Sequence, residues 1–357
     1  MYKDDYKRWL EKATDDKDLI PELLSITGND DAIRDRFMLE LEFGTAGLRG
    51  VIGAGSYRMN IYTVRKATQG MADYIKATKK DGKVAISYDS RHKSLEFSMA
   101  AAEVLAANGI HVYIYKELMP TPALSFAVRE LKCDTGIMMT ASHNPAKYNG
   151  YKAYGSDGCQ MTNEAADAIY ARIQATDVFD DVKTMDFETA LAECKIEYIK
   201  DEVYDAFYAN VEKQSVRKGI CQGTKMKLVY TPLNGTGNIP VRKVLSDLGI
   251  TDITLVKEQE LPDGDFPTCP YPNPEIYEAL AKGLALAKET NADLLLATDP
   301  DADRVGIAVK NGDEYRLLTG NETGVLLLDY LAKSKIENGT MPKDPVLVKS
   351  IVTTSLA

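Results

Sequence analysis

GIMMTASHNP, residues 136–145, is the stretch that decides the fold. Its first half, residues 136–140, is a short apolar run typical of a buried strand, and it leads straight into a polar loop. A second stretch has the same design, because the predicted strand at 293–298 (DLLLAT) leads into DPDADR at 299–304. Open α/β sheets bind ligands at the carboxyl ends of their strands. Both loops are therefore candidates for a functional site.

Short apolar runs alternate with longer helical patterns on either side of these stretches. Strands are predicted at residues 83–88, 111–115, 136–140, 227–231, 253–257, 293–298 and 346–352. Helices are predicted at 94–108, 121–131, 163–175, from the turn at 234–237 to 248, 275–290 and 322–332. This alternation indicates an α/β protein with repeated three-layer α/β/α domains and mixed, mainly parallel sheets.

The domain organisation follows from length and motif order. At roughly 150 residues per domain, 357 residues correspond to two or three domains. We predict a first domain at 1–204 with the TASHNP loop, a second at 205–318 with the DPDADR loop, and the start of a third at 319–357. The predicted last strand has no crossover helix after it, which a parallel neighbour requires. We therefore expect an amino-terminal portion of a longer protein.

Composition excludes several classes of protein. Apolar residues make up 45% and charged residues 27% of the chain, which is typical of a folded protein and not of a disordered or membrane-spanning one. Forty-three Lys and Arg against fifty-three Asp and Glu give a formal net charge of -10. Nucleic-acid binding depends on neutralising phosphates with cations, so we expect no nucleic-acid partner. A few local cations still suffice for a small phosphorylated ligand.

The five cysteines are odd in number and never form C-x-x-C, so they fit neither a zinc site nor a disulfide framework. The charged, helix-prone start does not resemble a secretory signal. No stretch approaches the ~18 consecutive apolar residues that cross a bilayer. We therefore expect no membrane partner and a reducing, cytoplasmic setting. The sequence does not predict an oligomeric state.

Residues 299–304, here called the carboxylate loop, carry aspartates at alternate positions, Asp299, Asp301 and Asp303. In an extended backbone such side chains are about 6.6 Å apart, too far for oxygens that each contact one ion at about 2.1 Å. The loop must therefore curl, and Pro300 favours that curl. Three carboxylates suit Mg²⁺ better than zinc. A calcium EF-hand is excluded by Arg304 and Lys310 at its sixth and twelfth positions, whereas a phosphatase-type aspartyl nucleophile and a solvated acidic turn stay open.

Residues 140–145, here called the serine loop, place a serine beside a histidine at the end of a strand. Adjacent side chains in an extended segment point apart, so Ser142 and His143 are weak evidence for a catalytic dyad. One alternative is that Ser142 and Asn144 only satisfy loop amides. A phosphorylated Ser142 would carry about -1.5 to -2 charges and would offer oxygens to the cation of the carboxylate loop.

Two further cations are candidates for binding or proton transfer. Arg49 lies in GTAGLRG, residues 44–50, which is neither a P-loop nor a dinucleotide fingerprint. Its planar, permanently charged guanidinium suits a phosphoryl group. Lys152 lies in YNGYK, residues 148–152, close in sequence to the serine loop. Ordinary solvated cations are the alternative for both.

GTAGLRG, TASHNP with NGYK, and DPDADR, in this order, resemble the α-D-phosphohexomutase superfamily, specifically its phosphoglucomutase/phosphomannomutase members. The resemblance runs from about residue 42 to the end. It implies a phosphoglucomutase-like fold, a phosphorylated Ser142, and Mg²⁺ held by Asp299, Asp301 and Asp303 with a phosphoryl oxygen of Ser142. By the same resemblance, other residues surround the phosphoryl group or transfer protons, namely Arg49, His143, Lys152 and Arg304.

The implied reaction interconverts glucose 1-phosphate and glucose 6-phosphate through phospho-Ser142 and a sugar bisphosphate intermediate. Phosphomannomutase and phosphopentomutase are alternatives within the same chemistry. The family's sugar-recognition loop in domain 3 and phosphate-binding loop in domain 4 do not occur in these residues, so we expect little mutase activity from them alone. Alternatives of another class are an aspartyl-nucleophile phosphatase and a non-catalytic regulator that binds a sugar bisphosphate.

Overall fold

The computed structural model describes residues 2–356. The chain divides into two compact units, and the division falls between Val203 and Tyr204. Each unit contains one mixed β-sheet with helices packed on it. The expected α/β class with three-layer domains is therefore confirmed. The predicted domain boundaries, including a third domain from residue 319, stay a prediction.

The first unit begins with three short helices and continues as an alternation of strands and helices. Its helices are α1 (Tyr2–Lys12), α2 (Leu19–Ser25), α3 (Asp30–Phe37), α4 (Ile61–Thr78), α5 (Ser94–Ala107), α6 (Thr121–Glu130), α7 (Asn163–Ala175) and α8 (Phe187–Ala192). Its strands are β1 (Leu48–Val51), β2 (Lys83–Tyr88), β3 (His111–Ile114), β4 (Thr135–Met139), β5 (Tyr148–Gly155) and β6 (Ile196–Tyr198). Helix α9 (Asp201–Glu212) crosses the division between the units.

The first sheet has the strand order β1-β5-β4-β2-β3-β6. Strands β4, β2, β3 and β6 run parallel, whereas β5 pairs antiparallel with both β4 and β1. The chain goes from β2 to β3 through α5, then returns past β2 to β4 through α6. Because such crossovers are right-handed, α5 and α6 cover opposite faces of the sheet. Residues of β2 and β4 are accordingly almost all buried.

The three amino-terminal helices pack on this unit through aromatic side chains. The Trp9 ring makes edge contacts with Phe37, Tyr62 and Phe179, with ring centroids 5.9, 5.6 and 5.4 Å apart. Edge-to-face geometry is the preferred arrangement of aromatic pairs. Residues of α1, α3 and α4 thereby share one continuous core with the sheet.

The second unit repeats the design on a smaller scale. Its helices are α10 (Asn238–Asp247), α11 (Lys257–Glu260), α12 (Tyr277–Thr290) and α13 (Gly320–Glu337). Its strands are β7 (Leu228–Thr231), β8 (Ile253–Leu255), β9 (Leu294–Thr298), β10 (Val305–Asn311) and β11 (Glu314–Leu318). The order is β11-β10-β9-β7-β8, with β9, β7 and β8 parallel and β10 antiparallel to both its neighbours.

One predicted element is wrong. Residues 346–352 form no strand, and their side chains are largely exposed, with Val348 at 88% and Ile351 at 98%. A run of β-branched residues becomes a strand only when a neighbouring strand pairs with it, and the structure shows no such partner within residues 2–356. Across the same residues, no helix combines the length and the hydrophobicity that crossing a membrane requires.

Candidate functional site

The serine loop leaves the sheet at the carboxyl end of β4. Strand β2 lies beside β4 in parallel register, with Tyr88 opposite Met139. The residues that follow these two strands therefore emerge at the same edge. The amide of Asp89 donates to the carbonyl of Met139 at 3.1 Å, which brings Asp89 next to Thr140.

Ser142 has a left-handed backbone conformation, with φ of +54°. This conformation is uncommon for a residue with a Cβ and marks a site that its surroundings hold in place. The left-handed turn brings Ser142 Oγ to 3.2 Å from His143 Nδ1. The expectation that these adjacent side chains point apart is therefore wrong, because it assumed an extended backbone.

Three buried residues hold the serine loop in place and are here called the serine-loop bracket. Asp89 and Arg91 contact the loop from outside, and Thr140 is its first residue. The Thr140 hydroxyl donates to Asp89 Oδ2 at 2.6 Å and accepts the Ser142 N–H at 2.8 Å. Arg91 Nε lies 3.4 Å from Asp89 Oδ2, and neither of these two side chains is exposed. A charge buried to this degree is stable only when it is paired and hydrogen-bonded.

The Arg91 guanidinium spans the loop by donating to backbone carbonyls. The acceptors are the carbonyl oxygens of Ser142 at 2.6 Å, Asn144 at 2.5 Å, Pro145 at 3.0 Å and Tyr148 at 3.2 Å. The planar fork of arginine is the one side chain with enough fixed donors for this task.

Lys152 and Arg49 lie on the neighbouring strands β5 and β1. Lys152 is buried and faces Met138 of β4, whereas Arg49 is exposed and faces Gly150. Because Gly150 and Lys152 are two residues apart in β5 and share a face, and Arg49 lies opposite Gly150, the side chains of Arg49 and Lys152 project from one face of the sheet. Within residues 2–356, no acidic side chain pairs with the Arg49 guanidinium. Arg49 is therefore available for an anionic ligand.

Gly150 of β5 allows β1 and the start of the serine loop to approach closely. A Cβ on this residue would lie 2.6 Å from the carbonyl oxygen of Thr140 and 2.9 Å from that of Leu48. Both are backbone atoms, so a side chain here would force the strands apart. The glycine of NGYK thus keeps β1, β5 and the start of the serine loop together.

The carboxylate loop follows β9 and curls as predicted. One carboxylate oxygen from each of Asp299, Asp301 and Asp303 lies within 4.8 Å of the other two. Ala302 is left-handed, with φ of +50°, and its N–H donates to the Asp299 carbonyl at 2.9 Å. The amide of Arg304 closes the turn by donating to Asp299 Oδ1 at 3.0 Å.

The charge of this loop is poorly solvated. Asp299 and Asp301 are fully buried, and Asp303 is exposed. Burial, and then the charges of Asp301 and Asp303, hold the pKa of Asp299 well above its usual range. A bound divalent cation removes this repulsion, and three carboxylates are the donor set of a hard cation. The residues therefore fit a metal site of the kind that the sequence predicts.

The turn after β7, residues 231–237 (TPLNGTG) and here called the buttress turn, supports the carboxylate loop. The amide and the hydroxyl of Thr236 both donate to the Pro300 carbonyl, at 2.8 and 3.0 Å. The hydroxyls of Tyr230 and Thr298 share a hydrogen bond of 2.8 Å. Because β7 and β9 are parallel neighbours, their carboxyl ends place the turn and the loop side by side.

Arg304, which is predicted to bind a phosphate, forms an ion pair with a glutamate in this structure. Its Nη1 lies 3.2 Å from Glu275 Oε2, and both side chains are more than a third exposed. Such exposed ion pairs contribute about 0–1 kcal/mol, so the guanidinium can exchange this partner for a ligand at little cost. A role for Arg304 in phosphate binding stays a prediction.

Sequence reasoning placed Thr140 in the serine loop but missed Asp89, Arg91 and the buttress turn as parts of the site. Asp89 and Arg91 are 51 residues from their partners Thr140 and Ser142 in the chain. A usable signal exists, since YDSR at 88–91 puts two charges directly after a buried strand, as in the two loops that the sequence did identify.

Two family models match this chain. The model described as "Phosphoglucomutase/phosphomannomutase, alpha/beta/alpha domain I" matches residues 40–179, and the corresponding domain II model matches residues 202–312. Together they contain the serine loop and the carboxylate loop. The chain therefore belongs to the α-D-phosphohexomutase superfamily.

Two curated relatives illustrate the similarity. A phosphoglucomutase of Staphylococcus saprophyticus subsp. saprophyticus is 39% identical over 318 residues, which are 89% of this chain and 56% of the relative. A phosphoglucomutase of Staphylococcus aureus strain USA300 is 35% identical over 356 residues, 99% of this chain and 62% of the relative. The chain thus spans a little over half the length of these relatives.

Solved structures agree on the fold. A Thermus thermophilus protein provisionally named a phosphomannomutase is 28% identical, with a TM-score of 0.65 over 78% of this chain and 58% of that one. A phosphoglucomutase/phosphomannomutase family protein from Burkholderia thailandensis has the same TM-score at 24% identity, over 83% of this chain and 59% of that one. The phosphoglucomutase-like fold is therefore confirmed.

Proposed function

We propose that this chain carries the phosphoryl-transfer apparatus of a phosphohexomutase, with Ser142 as the residue that accepts and donates the phosphoryl group. One observation carries the proposal: three aspartates that follow a strand converge within 4.8 Å, two of them fully buried. Such a cluster is stable at neutral pH when a cation neutralises it, and phosphoryl transfer depends mainly on positioning and charge neutralisation.

Mg²⁺ is the proposed cation, because three carboxylates match its preference for hard oxygen ligands. Asp299, Asp301 and Asp303 would hold it, and an oxygen of phospho-Ser142 is the further ligand that we propose. When bound, Mg²⁺ supplies positive charge against the phosphoryl oxygens.

The residues around Ser142 have complementary proposed roles. His143 Nδ1, 3.2 Å from Ser142 Oγ, is placed to accept the hydroxyl proton when its lone pair faces Oγ. Lys152 is a second candidate for proton transfer. Arg49 is exposed on the same face of the sheet as Lys152 and would bind the phosphoryl group, with Arg304 as a second guanidinium.

The proposed half-reaction is a transfer between a sugar oxygen and Ser142 Oγ. Ser142 Oγ attacks the phosphorus of a sugar bisphosphate, and the bond between that phosphorus and the sugar oxygen breaks. The serine proton passes to a base, and the sugar oxygen takes up a proton to leave as the monophosphate. In the reverse direction, phospho-Ser142 gives its phosphoryl group to the free hydroxyl of a sugar monophosphate. Two such transfers interconvert 1-phospho and 6-phospho sugar.

Glucose phosphates are the proposed substrates, because both curated relatives reported above are named phosphoglucomutase. Phosphomannomutase and phosphopentomutase activities are the alternatives within this chemistry. We also propose a cytoplasmic setting, which fits five cysteines that all carry free thiols.

The aspartyl-phosphatase alternative is less well supported. Its nucleophile would be Asp299, which is fully buried and whose Oδ1 accepts a hydrogen bond from the Arg304 amide. An attacking oxygen has to reach the phosphorus atom of the substrate, and a fully buried carboxylate is poorly placed for that contact.

One pair of variants separates the two chemistries. The 357-residue chain is incubated with Mg²⁺ and glucose 1,6-bisphosphate, mannose 1,6-bisphosphate or ribose 1,5-bisphosphate, and phosphate release and sugar monophosphate are measured. We expect Ser142→Ala to abolish monophosphate formation and Ser125→Ala, a matched serine in α6, to leave it unchanged. Activity that survives Ser142→Ala and is lost in Asp299→Asn would establish the phosphatase instead. The bisphosphate used fastest identifies the sugar.

A further inference from the structure

We infer that the serine-loop bracket, Asp89, Arg91 and Thr140, positions Ser142 for phosphoryl transfer by holding its backbone in the left-handed conformation. The inference rests on the proposed function of Ser142. It extends that function to Asp89 and Arg91, which lie outside the motifs TASHNP and DPDADR, and to Thr140, which has no role in the transfer proposed above. These are positioning residues, since they act on Ser142 through its backbone.

The left-handed conformation of Ser142 needs an external constraint. A residue with a Cβ is disfavoured at φ of +54°, and such conformations persist where several contacts determine them together. The bracket supplies contacts on both sides of the Ser142 α-carbon: Thr140 accepts its N–H, and Arg91 donates to its carbonyl. The two contacts restrict rotation about both backbone bonds of Ser142.

The Thr140 hydroxyl transmits the orientation of Asp89 to Ser142. A hydroxyl has one proton, and here that proton is donated to Asp89 Oδ2 at 2.6 Å. A lone pair of the same oxygen is therefore directed to the Ser142 N–H, 2.8 Å away. Asp89 is itself fixed, because Oδ1 accepts from the Arg91 amide at 3.0 Å and from the Ser94 hydroxyl at 2.8 Å.

Arg91 holds the rest of the loop against this anchor. From a fully buried position, its guanidinium donates to three carbonyls of the serine loop and to that of Tyr148 at the start of β5, and Asp89 balances its charge. A side chain in this position cannot bind a ligand with the donors that it already uses. Its role is therefore to fix the path of the loop, and with it the direction of Ser142 Oγ, because phosphoryl transfer is sensitive to misplacement of about 1 Å.

The test removes one hydroxyl from the bracket with little change in shape. Thr140→Val deletes the hydroxyl, Thr140→Ser retains it, and Thr140→Ala is a second deletion if the valine does not fold. Thr135→Val is the matched control, because Thr135 at the start of β4 is as buried as Thr140, which follows β4, and its hydroxyl likewise donates a hydrogen bond, to the Tyr154 carbonyl. Circular dichroism and urea unfolding verify that each variant is folded.

Two measurements are made on each variant. Hydrogen–deuterium exchange, resolved to the Ser142 amide by fragmentation in the mass spectrometer, reports whether that N–H remains bonded. The rate at which Ser142 acquires phosphate from glucose 1,6-bisphosphate and Mg²⁺, as a function of donor concentration, reports the chemistry. We expect Thr140→Val to raise the exchange rate and to lower the maximal phosphorylation rate by about tenfold or more, with little change in the half-saturating concentration. Thr140→Ser should restore both rates, and Thr135→Val should match the unsubstituted chain.

Two results overturn the inference. In the first, the Thr140→Val variant matches the Thr135→Val variant in both measurements. In the second, the Thr140→Val variant shows faster exchange of the Ser142 amide but no slower phosphorylation of Ser142. If the unsubstituted chain acquires no phosphate on Ser142 from any sugar bisphosphate, the proposed function fails. The exchange measurement then decides the inference about the loop alone, since protection lost in Thr140→Val and kept in Thr135→Val supports it and equal protection contradicts it.

Discussion

Replacing Gly235 with alanine tests whether the buttress turn sets the shape of the carboxylate loop. A Cβ on Gly235 would lie 2.4 Å from the Cα and 2.6 Å from the carbonyl oxygen of Pro300. Ordinary contacts between carbon atoms are about 3.5–4.0 Å, so the turn and the loop must separate by about 1 Å. Both segments are backbone at this point, and neither can rotate out of the way as a flexible side chain would.

The expected cost has two parts. Overpacking of this kind lowers the free energy of unfolding by about 1–3 kcal/mol. Metal sites tolerate ligand displacements of only about 0.2 Å. A shift of Pro300, which lies between Asp299 and Asp301, should therefore weaken Mg²⁺ binding by about tenfold or more, as other changes to groups that support metal ligands do. Urea unfolding measures the first effect, and isothermal titration calorimetry with MgCl₂ measures the second.

Gly324 provides the matched control. It lies in α13, and within residues 2–356 no heavy atom other than those of its chain neighbours and of the helix's own backbone is within 4 Å of the position that its Cβ would take. Alanine has a higher helix propensity than glycine by about 1 kcal/mol, so Gly324→Ala should be neutral or stabilising and should leave Mg²⁺ binding unchanged. A Gly235→Ala variant that retains both the unfolding free energy and the Mg²⁺ affinity of the unsubstituted chain would refute this role of the buttress turn.

Three further outcomes are expected. Asp301→Asn should abolish Mg²⁺ binding, and the metal-free variant should be at least as stable to urea as the metal-free unsubstituted chain, because one of three carboxylates crowded within 4.8 Å is removed; a less stable metal-free variant would contradict this. Hydrogen bonds from Arg8 hold the pKa of Asp177 below its usual range, so this pair stabilises the fold above about pH 4 and loses that effect as the pH falls. Asp177→Asn should therefore cost about 1 kcal/mol at pH 7 and progressively less below about pH 4, as measured by urea unfolding, whereas a pH-independent cost would exclude the ion pair as its cause. Burial raises the pKa of the Cys133 thiol to about 12, so N-ethylmaleimide at pH 7.5 should label the exposed Cys159 in the native protein and reach Cys133 only after unfolding.

The sequence was sufficient to predict the strands at the centre of each sheet. Parallel strands are buried on both faces, so β2 and β9 appear as continuous apolar runs that end in polar loops. The antiparallel strands were missed, because β5 contains glycine and several tyrosines in place of an apolar run. A signal for β10 and β11 was present, since Gly312-Asp313 lies between two alternating segments and Gly312 has the positive φ of a tight hairpin turn.

The wrong strand at 346–352 shows the limit of propensity. Val346, Val348 and Ile351 favour a strand locally, but a strand is stabilised by pairing and burial, and these side chains are exposed. The alternation of apolar residues in a sequence does not report whether a partner strand is present.

The candidate site also has parts that local sequence predicts and parts that depend on contacts between distant segments. Local order in the sequence was sufficient to find Ser142 and the three aspartates, because each group lies within one loop. The contacts of the serine-loop bracket and of the buttress turn could not be derived from local order, since they join segments that are distant in the chain and become neighbours through parallel pairing of β2 with β4 and of β7 with β9. The left-handed backbone of Ser142 was also beyond sequence reasoning, because it is fixed by Thr140 and Arg91 rather than by Ser142 itself.

Phosphate transfer to Ser142 is the central claim, and one mass measurement tests it most directly. The 357-residue chain is incubated with glucose 1,6-bisphosphate and Mg²⁺, digested, and analysed for phosphate on the peptide that contains the serine loop. We predict one phosphoryl group on Ser142, its absence in Ser142→Ala, and its return to glucose 6-phosphate when that monophosphate is added. An unmodified Ser142 under these conditions, or a phosphoryl group on Asp299 instead, would contradict the claim.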